Sequence, residues 1–329
     1  MTDSSPDIRR LRLVFPISII SFALLFAAGC TSRQQAVELY VDAVMLRELN
    51  ENDKAVTKLN LAVKADKHFS LAHSLLGEIY EQMQDYPKAT VSYEAATRLN
   101  PWSFKDYFSL GRVYQTMNEF APAVEAYRRA AELKPDNLQA NLNTAKCLYQ
   151  INDYNEALVY GKRAEQIYPH VSELHLLLGR LYDSQKNYEQ ATRSYKRALE
   201  INGNDPAVMM SLAIACLRTN RNEQAKELLT TVTQLQPDNS SARQYLGYCF
   251  LRLEDLNQAI VNYRKAIKIN SDDWEAYRGL GVAFMLVAIK DDDAGLKTQA
   301  VELWRQSLTI KPDQPKRERL VNLIEKYSK

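Results

Sequence analysis

The side chains able to do chemistry in this chain are few, and their spacing argues for architecture over catalysis. Four histidines occur as two pairs, His68 with His73 and His170 with His175, and the second pair follows the first at an interval of 102. That interval is three times 34, so the pairs mark equivalent places in a repeat. A metal site needs several ligands converging in space, and the pattern offers no such set; no metal and no cofactor is expected. Cys147, Cys216 and Cys249 stand in apolar stretches, where a free thiol behaves as a small hydrophobe. Three is not a complete disulfide framework; the three are read as buried thiols, with Cys216 and Cys249 the one tempting pair. Asp291, Asp293 and Glu302 fall at the first, third and last places of a calcium loop. Leu296, however, takes the place that needs glycine, and Gly295 replaces a ligand. There is no Gly-x-Ser-x-Gly, no phosphate-binding glycine loop, no His-Glu-x-x-His and no Cys-x-x-Cys. The chain is not expected to be an enzyme.

One cysteine stands apart. Arg9, Arg10 and Arg12 open a basic segment, an apolar run follows from Leu13 to Phe26, and Ala27, Ala28 and Gly29 lead directly into Cys30. A basic start, an apolar stretch and small residues form a targeting leader. With Cys next, the segment resembles a bacterial lipoprotein signal, although Ala27 stands where that family usually has Leu. The resemblance implies cleavage after residue 29, a lipid-modified Cys30, and a short tether over residues 30–35. Thr31 is not the Asp that usually retains such proteins at the inner membrane. The expected location is the bacterial cell envelope, lipid-anchored, at the outer membrane facing the periplasm. The alternative is an uncleaved anchor, for which the stretch from Leu13 to Gly29 is short. The net charge of +2 falls to +1 once the leader's three Arg and two Asp are removed, so no nucleic-acid partner is expected.

The rest of the chain is periodic. Ala43, Gly77, Gly111, Ala145, Gly179, Ala213, Gly247 and Gly281 follow one another at intervals of 34. A second column reads Ala55, Ala89, Ala123, Ala157, Ala191, Ala225 and Ala259. A third reads Ala62, Ala96, Ala130, Ala164, Ala198, Val232 and Ala266. Each period accommodates two antiparallel helices that cannot bury their apolar stripes alone. A small residue where they cross lets the backbones approach, and Pro101, Pro135, Pro169, Pro237 and Pro312 close the second helix. The third period carries Tyr107, Leu110, Gly111, Tyr114, Ala123, Tyr127, Ala130 and Pro135. This resembles the tetratricopeptide-repeat signature, with Tyr at the usual Trp and Phe places. The resemblance covers residues 36–312 and implies an all-α, right-handed superhelical solenoid of about eight repeats. Two departures stand out. Gly161 replaces the aromatic that Tyr127 and Tyr195 supply in neighbouring repeats, so the fourth repeat should pack less tightly. In the eighth repeat the pattern resumes seven residues late, at Ala300 and Trp304, which predicts an insertion at about 287–297, read as a longer loop. Residues 313–329 read as a C-terminal capping helix, which a solenoid needs for solubility.

The resemblance also implies where binding would occur, since the first helix of each pair lines a concave groove in that family. The column after the small residue should point into it: Val44, Glu78, Arg112, Lys146, Arg180, Ile214, Tyr248 and Val282. Lys105, Arg112, Lys146 and Arg180 make the middle cationic, and a same-sign column in a concave wall focuses the field. Ile214, Leu217, Tyr248, Leu251, Val282 and Met285 make the later repeats apolar, as binding surfaces often are, unless the C-terminal helix covers them. Tyr149 adds a groove aromatic. The expected function is a membrane-tethered extracytoplasmic adaptor or scaffold that binds extended or helical segments of other proteins, acidic toward mid-array. The alternative is a non-catalytic glycan-binding or accessory subunit of a cell-wall, polysaccharide, pilus or secretion assembly machine.

Overall fold

The computed structural model describes the backbone of residues 17–328 and the side chains of residues 31–328. The basic leader segment and the Cys30 side chain lie outside the described residues. The described residues are all-helical and divide into two units, the boundary falling between Asn152 and Asp153. The first contains α1 (Ile17–Glu48), α2 (Asn52–Ala65), α3 (Ser70–Gln82), α4 (Tyr86–Leu99), α5 (Phe104–Thr116), α6 (Phe120–Leu133) and α7 (Leu138–Gln150). The second contains α8 (Tyr154–Ile167), α9 (Ser172–Ser184), α10 (Tyr188–Ile201), α11 (Pro206–Arg218), α12 (Asn222–Leu235), α13 (Ser240–Arg252), α14 (Leu256–Ile269), α15 (Trp274–Asp291), α16 (Ala294–Ile310) and α17 (Arg317–Tyr327). Within each unit, consecutive helices pack in pairs and each pair packs on the next. The division falls inside the fourth repeat, the one that lacks its aromatic at Gly161. The helix containing residues 30–35 runs unbroken from Ile17 to Glu48. Among the described residues no helix is long and apolar enough to cross a membrane.

Side-chain volume across each pair is compensated residue by residue. A Cβ placed on Gly77 or Gly111 would come within 2.7 Å of the Tyr93 or Tyr127 ring, and on Gly281 within 2.6 Å of Trp304. Gly179 and Gly247 meet Tyr195 and Tyr263 in the same way. One sequence interval separates the glycine from its ring in all of these pairs, lengthened only in the last by the insertion of seven. Where the column holds Ala and both helices lie in one unit, the residue at that interval is smaller: Leu59 after Ala43 and Leu229 after Ala213. Close packing tolerates neither a void nor an extra methyl, so glycine goes with a ring and alanine with an aliphatic or smaller partner.

The turns obey the same period. Asn50, Gln84, Asn118, Asn152, Lys186, Asn220 and Glu254 all have φ between 59° and 63°, and they recur at intervals of 34. Each follows the first helix of its pair in the left-handed conformation that ends a helix. After α3, for example, the Gln84 N–H donates to the Glu81 carbonyl at 3.0 Å and the Asp85 N–H to the Tyr80 carbonyl at 2.9 Å. In several repeats the side chain of the next residue then caps the second helix: Asp153 accepts from the Glu156 N–H at 3.1 Å and Asp255 from the Gln258 N–H at 3.1 Å.

The seven extra residues of the eighth repeat do not form the longer loop that their polarity suggests. α15 has 18 residues against 13 in α13, and α16 has 17 against 14 in α14. Two residues, Asp292 and Asp293, replace the usual three between the helices. The insertion is therefore absorbed entirely as helix, and the turn is one residue tighter than its neighbours. Asp292 takes the left-handed position with φ 51° and Asp293 caps α16. Beyond them α17 follows α16 where a ninth repeat would begin, with its Leu320 and the preceding Gln314 both buried.

The three cysteines of the described repeats are buried and free, Cys216 and Cys249 included. Burial pushes the Cys147 and Cys249 thiols up to about 12. His175 is also buried, and its Nε2 lies 2.8 Å from the Pro169 carbonyl, a structural contact at the start of its repeat.

Candidate functional site

The column after the small residue lies on an accessible face throughout: Val44, Glu78, Arg112, Lys146, Arg180, Ile214, Tyr248 and Val282 are all half-buried or exposed. Leu217 and Met285, expected on the same open surface, are buried at 6% and 5%. They stand one turn beyond the small residue, and there Leu217 packs in a cluster with Ala213, Leu246 and Cys249. Tyr149, at the equivalent place in α7, is half-buried.

In the first unit Lys105 and Arg112 on this face are matched by acids from neighbouring repeats. The Lys105 ammonium lies 2.5 Å from the Glu78 carboxylate, which also receives Arg47 at 3.2 Å. Arg112 donates through Nε and Nη2 to the two oxygens of Glu81 at 2.8 and 2.9 Å, a bidentate geometry that fixes the guanidinium. The expected cationic column is thus partly neutralised where Lys105 and Arg112 stand. In the second unit Arg218 pairs with Asp183, and Arg252 donates to Asn220 at 2.8 Å.

On this face a cavity of about 760 Å³ opens in the last repeats, within the second unit. α13 supplies Tyr245, Tyr248 and Leu251; α15 supplies Val282, Met285, Leu286 and Ile289; α17 supplies Leu320, Leu323 and Tyr327. α17 therefore adds a wall to the apolar groove, with space left between it and α13 and α15. It is held at its start by Arg278, which donates to the Gln314 side chain at 3.3 Å and the Pro315 carbonyl at 3.2 Å. Arg278 also stacks on Trp274, 4.7 Å from the ring centroid. Desolvation lowers the Arg278 pKa from its ordinary value and, with Asp273 nearby, raises that of Glu275. The far end is apolar: Leu286 and Ile289 remain 43% and 53% exposed, and Ile289 exists on this wall only because the insertion lengthens α15. The volume is typical of sites that enclose a small ligand or a few side chains.

Sequence reasoning placed Tyr248, Leu251, Val282 and Met285 together, and the cavity does so. It missed Tyr245, Arg278, Leu286, Ile289, Leu323 and Tyr327. Leu323 was findable, since it takes the place of Val282 one period later once the insertion of seven is allowed for. Leu286 and Ile289 were not, because they fall in or beside the segment read as a loop.

Comparison with known proteins matches the same repeats. Residues 166–277 match the family described as the cytochrome c-type biogenesis protein H TPR domain, and residues 82–164 match anaphase-promoting complex, cyclosome, subunit 3. The fold is a tetratricopeptide-repeat fold. Among solved tetratricopeptide-repeat structures, the chain is similar to one from Parabacteroides merdae, with TM-score 0.54, 15% identity, and coverage of 79% of this chain and 99% of the other. PilF of Pseudomonas aeruginosa gives TM-score 0.52 and 24% identity over 64% of this chain and 96% of PilF. YrrB, described as a TPR protein with an unusual peptide-binding site, gives 0.51 and 19% over 62% of this chain and 99% of YrrB. No curated protein sequence matches the chain. These likenesses agree on the fold of the repeats.

Proposed function

We propose that this protein is a lipid-anchored scaffold of the bacterial cell envelope that holds segments of partner proteins along the first helices of its repeats. The anchor is a lipid on Cys30 after removal of residues 1–29, and the body faces the periplasm from the outer membrane. The observation that carries the binding part is the apolar cavity of about 760 Å³ bounded by α13, α15 and α17. Buried aromatic and aliphatic anchors supply most of the energy of an interface, and Tyr245, Tyr248, Leu251, Leu286 and Ile289 form a pocket ready to receive them. A wall so rich in aliphatic side chains favours a protein segment over the hydroxyls of a glycan. The peptide-binding site named for YrrB is consistent with such a role. In the first unit Lys105 and Arg112 share their charge with Glu78 and Glu81, and Lys146 and Tyr149 continue the face on which an acidic stretch of the partner would rest. Arg180 holds the equivalent place in the second unit.

Two measurements test this reading separately. Replacing Cys30 by Ser should move the protein from the membrane fraction to the soluble fraction or leave the precursor uncleaved; mature protein unchanged in the membrane contradicts the anchor. Proteins recovered with the detergent-solubilised wild type should be lost with Tyr248→Ala and Ile289→Asp; their undiminished recovery contradicts the site.

A further inference from the structure

A second surface lies in the first repeat. Two places after the small residue runs another column with the same period, from Met45 through Ile79, Val113 and Leu181 to Cys249 and Ala283. From Ile79 to Ala283 every one of these is fully buried, whereas Met45 is 61% exposed. The cause is position. Ile79 and Leu75 on α3 lie in one cluster with Leu59 and Ala62 of α2, the second helix of the preceding repeat. α1 belongs to the first repeat, and among the described residues no earlier repeat covers it. Val41, the equivalent of Leu75, is 43% exposed, and Val37 and Leu49 extend the stripe at both ends. A solenoid normally closes its ends with polar caps. α17 follows the last repeat as a cap, but α1 presents the apolar half of an inter-repeat interface.

We propose that this face binds an α-helix of a partner protein, packed as the second helix of a preceding repeat would be. The occupant is specified by the interface it continues: a helix with Leu- and Ala-sized residues at the spacing of Leu59 and Ala62. Charge favours a basic helix. The exposed charged residues of α1 among those described are Arg33 near its start and Glu38, Asp42 and Glu48 beside the stripe; Asp42 is paired with Lys58 and Glu48 with Arg47, while Glu38 accepts from the Gln34 amide. A second copy of α1 would set Glu38 against Glu38 if parallel. Pairing Val41 with Met45 in antiparallel register would set Glu38 against Glu48. Like charges so placed oppose association, and a partner helix with Lys or Arg beside its apolar residues does not meet them.

The chain contains its own probe. A synthetic peptide of residues 52–65, the α2 sequence, carries Leu59 and Ala62 together with Lys54, Lys58 and Lys64 against a single Asp53. Titrated by fluorescence anisotropy into the full-length protein in detergent, it should bind saturably. Met45→Asp should weaken binding by about tenfold or more, without a change in the circular-dichroism melt, because Met45 is exposed. A peptide with its three Lys replaced by Glu should bind more weakly than the original, and Val261→Asp, exposed on a second helix away from both surfaces, should leave the binding of this peptide unchanged. Absence of binding, equal binding by Met45→Asp, or equal binding of the acidic peptide overturns the proposal. So does sedimentation showing a dimer that Met45→Asp dissolves, which assigns the face to a second copy. Flotation with phosphatidylethanolamine–phosphatidylglycerol vesicles that persists in Cys30→Ser and is lost on adding Met45→Asp assigns it to lipid instead.

Discussion

Gly111 and Tyr127 form one joint: a Cβ on the glycine would come within 2.7 Å of the tyrosine ring. The pair belongs to a rule that recurs within both units, glycine with an aromatic ring and alanine with something smaller. Gly111→Ala should therefore cost about 1–3 kcal/mol by overpacking. Tyr127→Leu alone leaves a void and should also destabilise. Together they recreate the Ala43–Leu59 and Ala213–Leu229 combinations, so the double variant should lose less than the sum of the single losses. A double-mutant cycle by urea unfolding measures the coupling; strict additivity would remove the compensation argument.

Lys186 and Gln84 hold left-handed turns at φ 61° without being glycine. Such a conformation costs a side-chain-bearing residue about 1–2 kcal/mol, partly offset by the greater freedom glycine has in the unfolded chain. Lys186→Gly should raise stability by up to about 1 kcal/mol on that balance, seen as a higher melting temperature. A lower one would show that the turn depends on the lysine side chain.

The buried thiols should be silent. With the Cys147 and Cys249 pKa values pushed up to about 12 by desolvation, almost no thiolate exists near neutral pH, and only the thiolate reacts. Iodoacetamide should label Cys147, Cys216 and Cys249 at the rate of local or global unfolding. Mass spectrometry showing labelling within minutes in native buffer would contradict their burial.

Glu275 offers a pH test. Its pKa is raised by desolvation first and by Asp273 second, so the folded state holds the proton more tightly than the unfolded chain. The ionised carboxylate therefore works against folding, and this cost appears as pH rises from the ordinary carboxylate range through the raised pKa. Glu275→Gln should stabilise at neutral pH, with the gain disappearing in acid once the wild-type carboxyl is protonated. A gain that grows toward low pH would reverse the sign of the account.

Much of this fold was legible because the period of 34 repeats the same packing problem, and the same residues solve it at Gly77, Gly111, Gly179 and Gly247. The eighth repeat was misread at its loop because Lys290, Asp291, Asp292 and Asp293 are polar; helix length there depends on where one left-handed residue falls, and Asp292 takes that role. The site was legible in part. Tyr248 and Val282 follow from a single column, but Glu78 and Glu81 neutralise Lys105 and Arg112 across repeats, and no column of one residue type reveals such pairs. Leu217 was expected in the open because its distance from the small residue was judged without the neighbouring helix that covers it.

The central claim is that partners are held in the cavity bounded by α13, α15 and α17. A photo-crosslinking amino acid placed in vivo at Ile289 or Leu286, on the cavity wall, compares directly with the same probe at Val91 and Val261, exposed on second helices. The account predicts discrete crosslinked protein species from 289 and 286, lost on adding Tyr248→Ala, and none from 91 or 261. Crosslinks confined to 91 or 261, or unchanged by Tyr248→Ala, would contradict it.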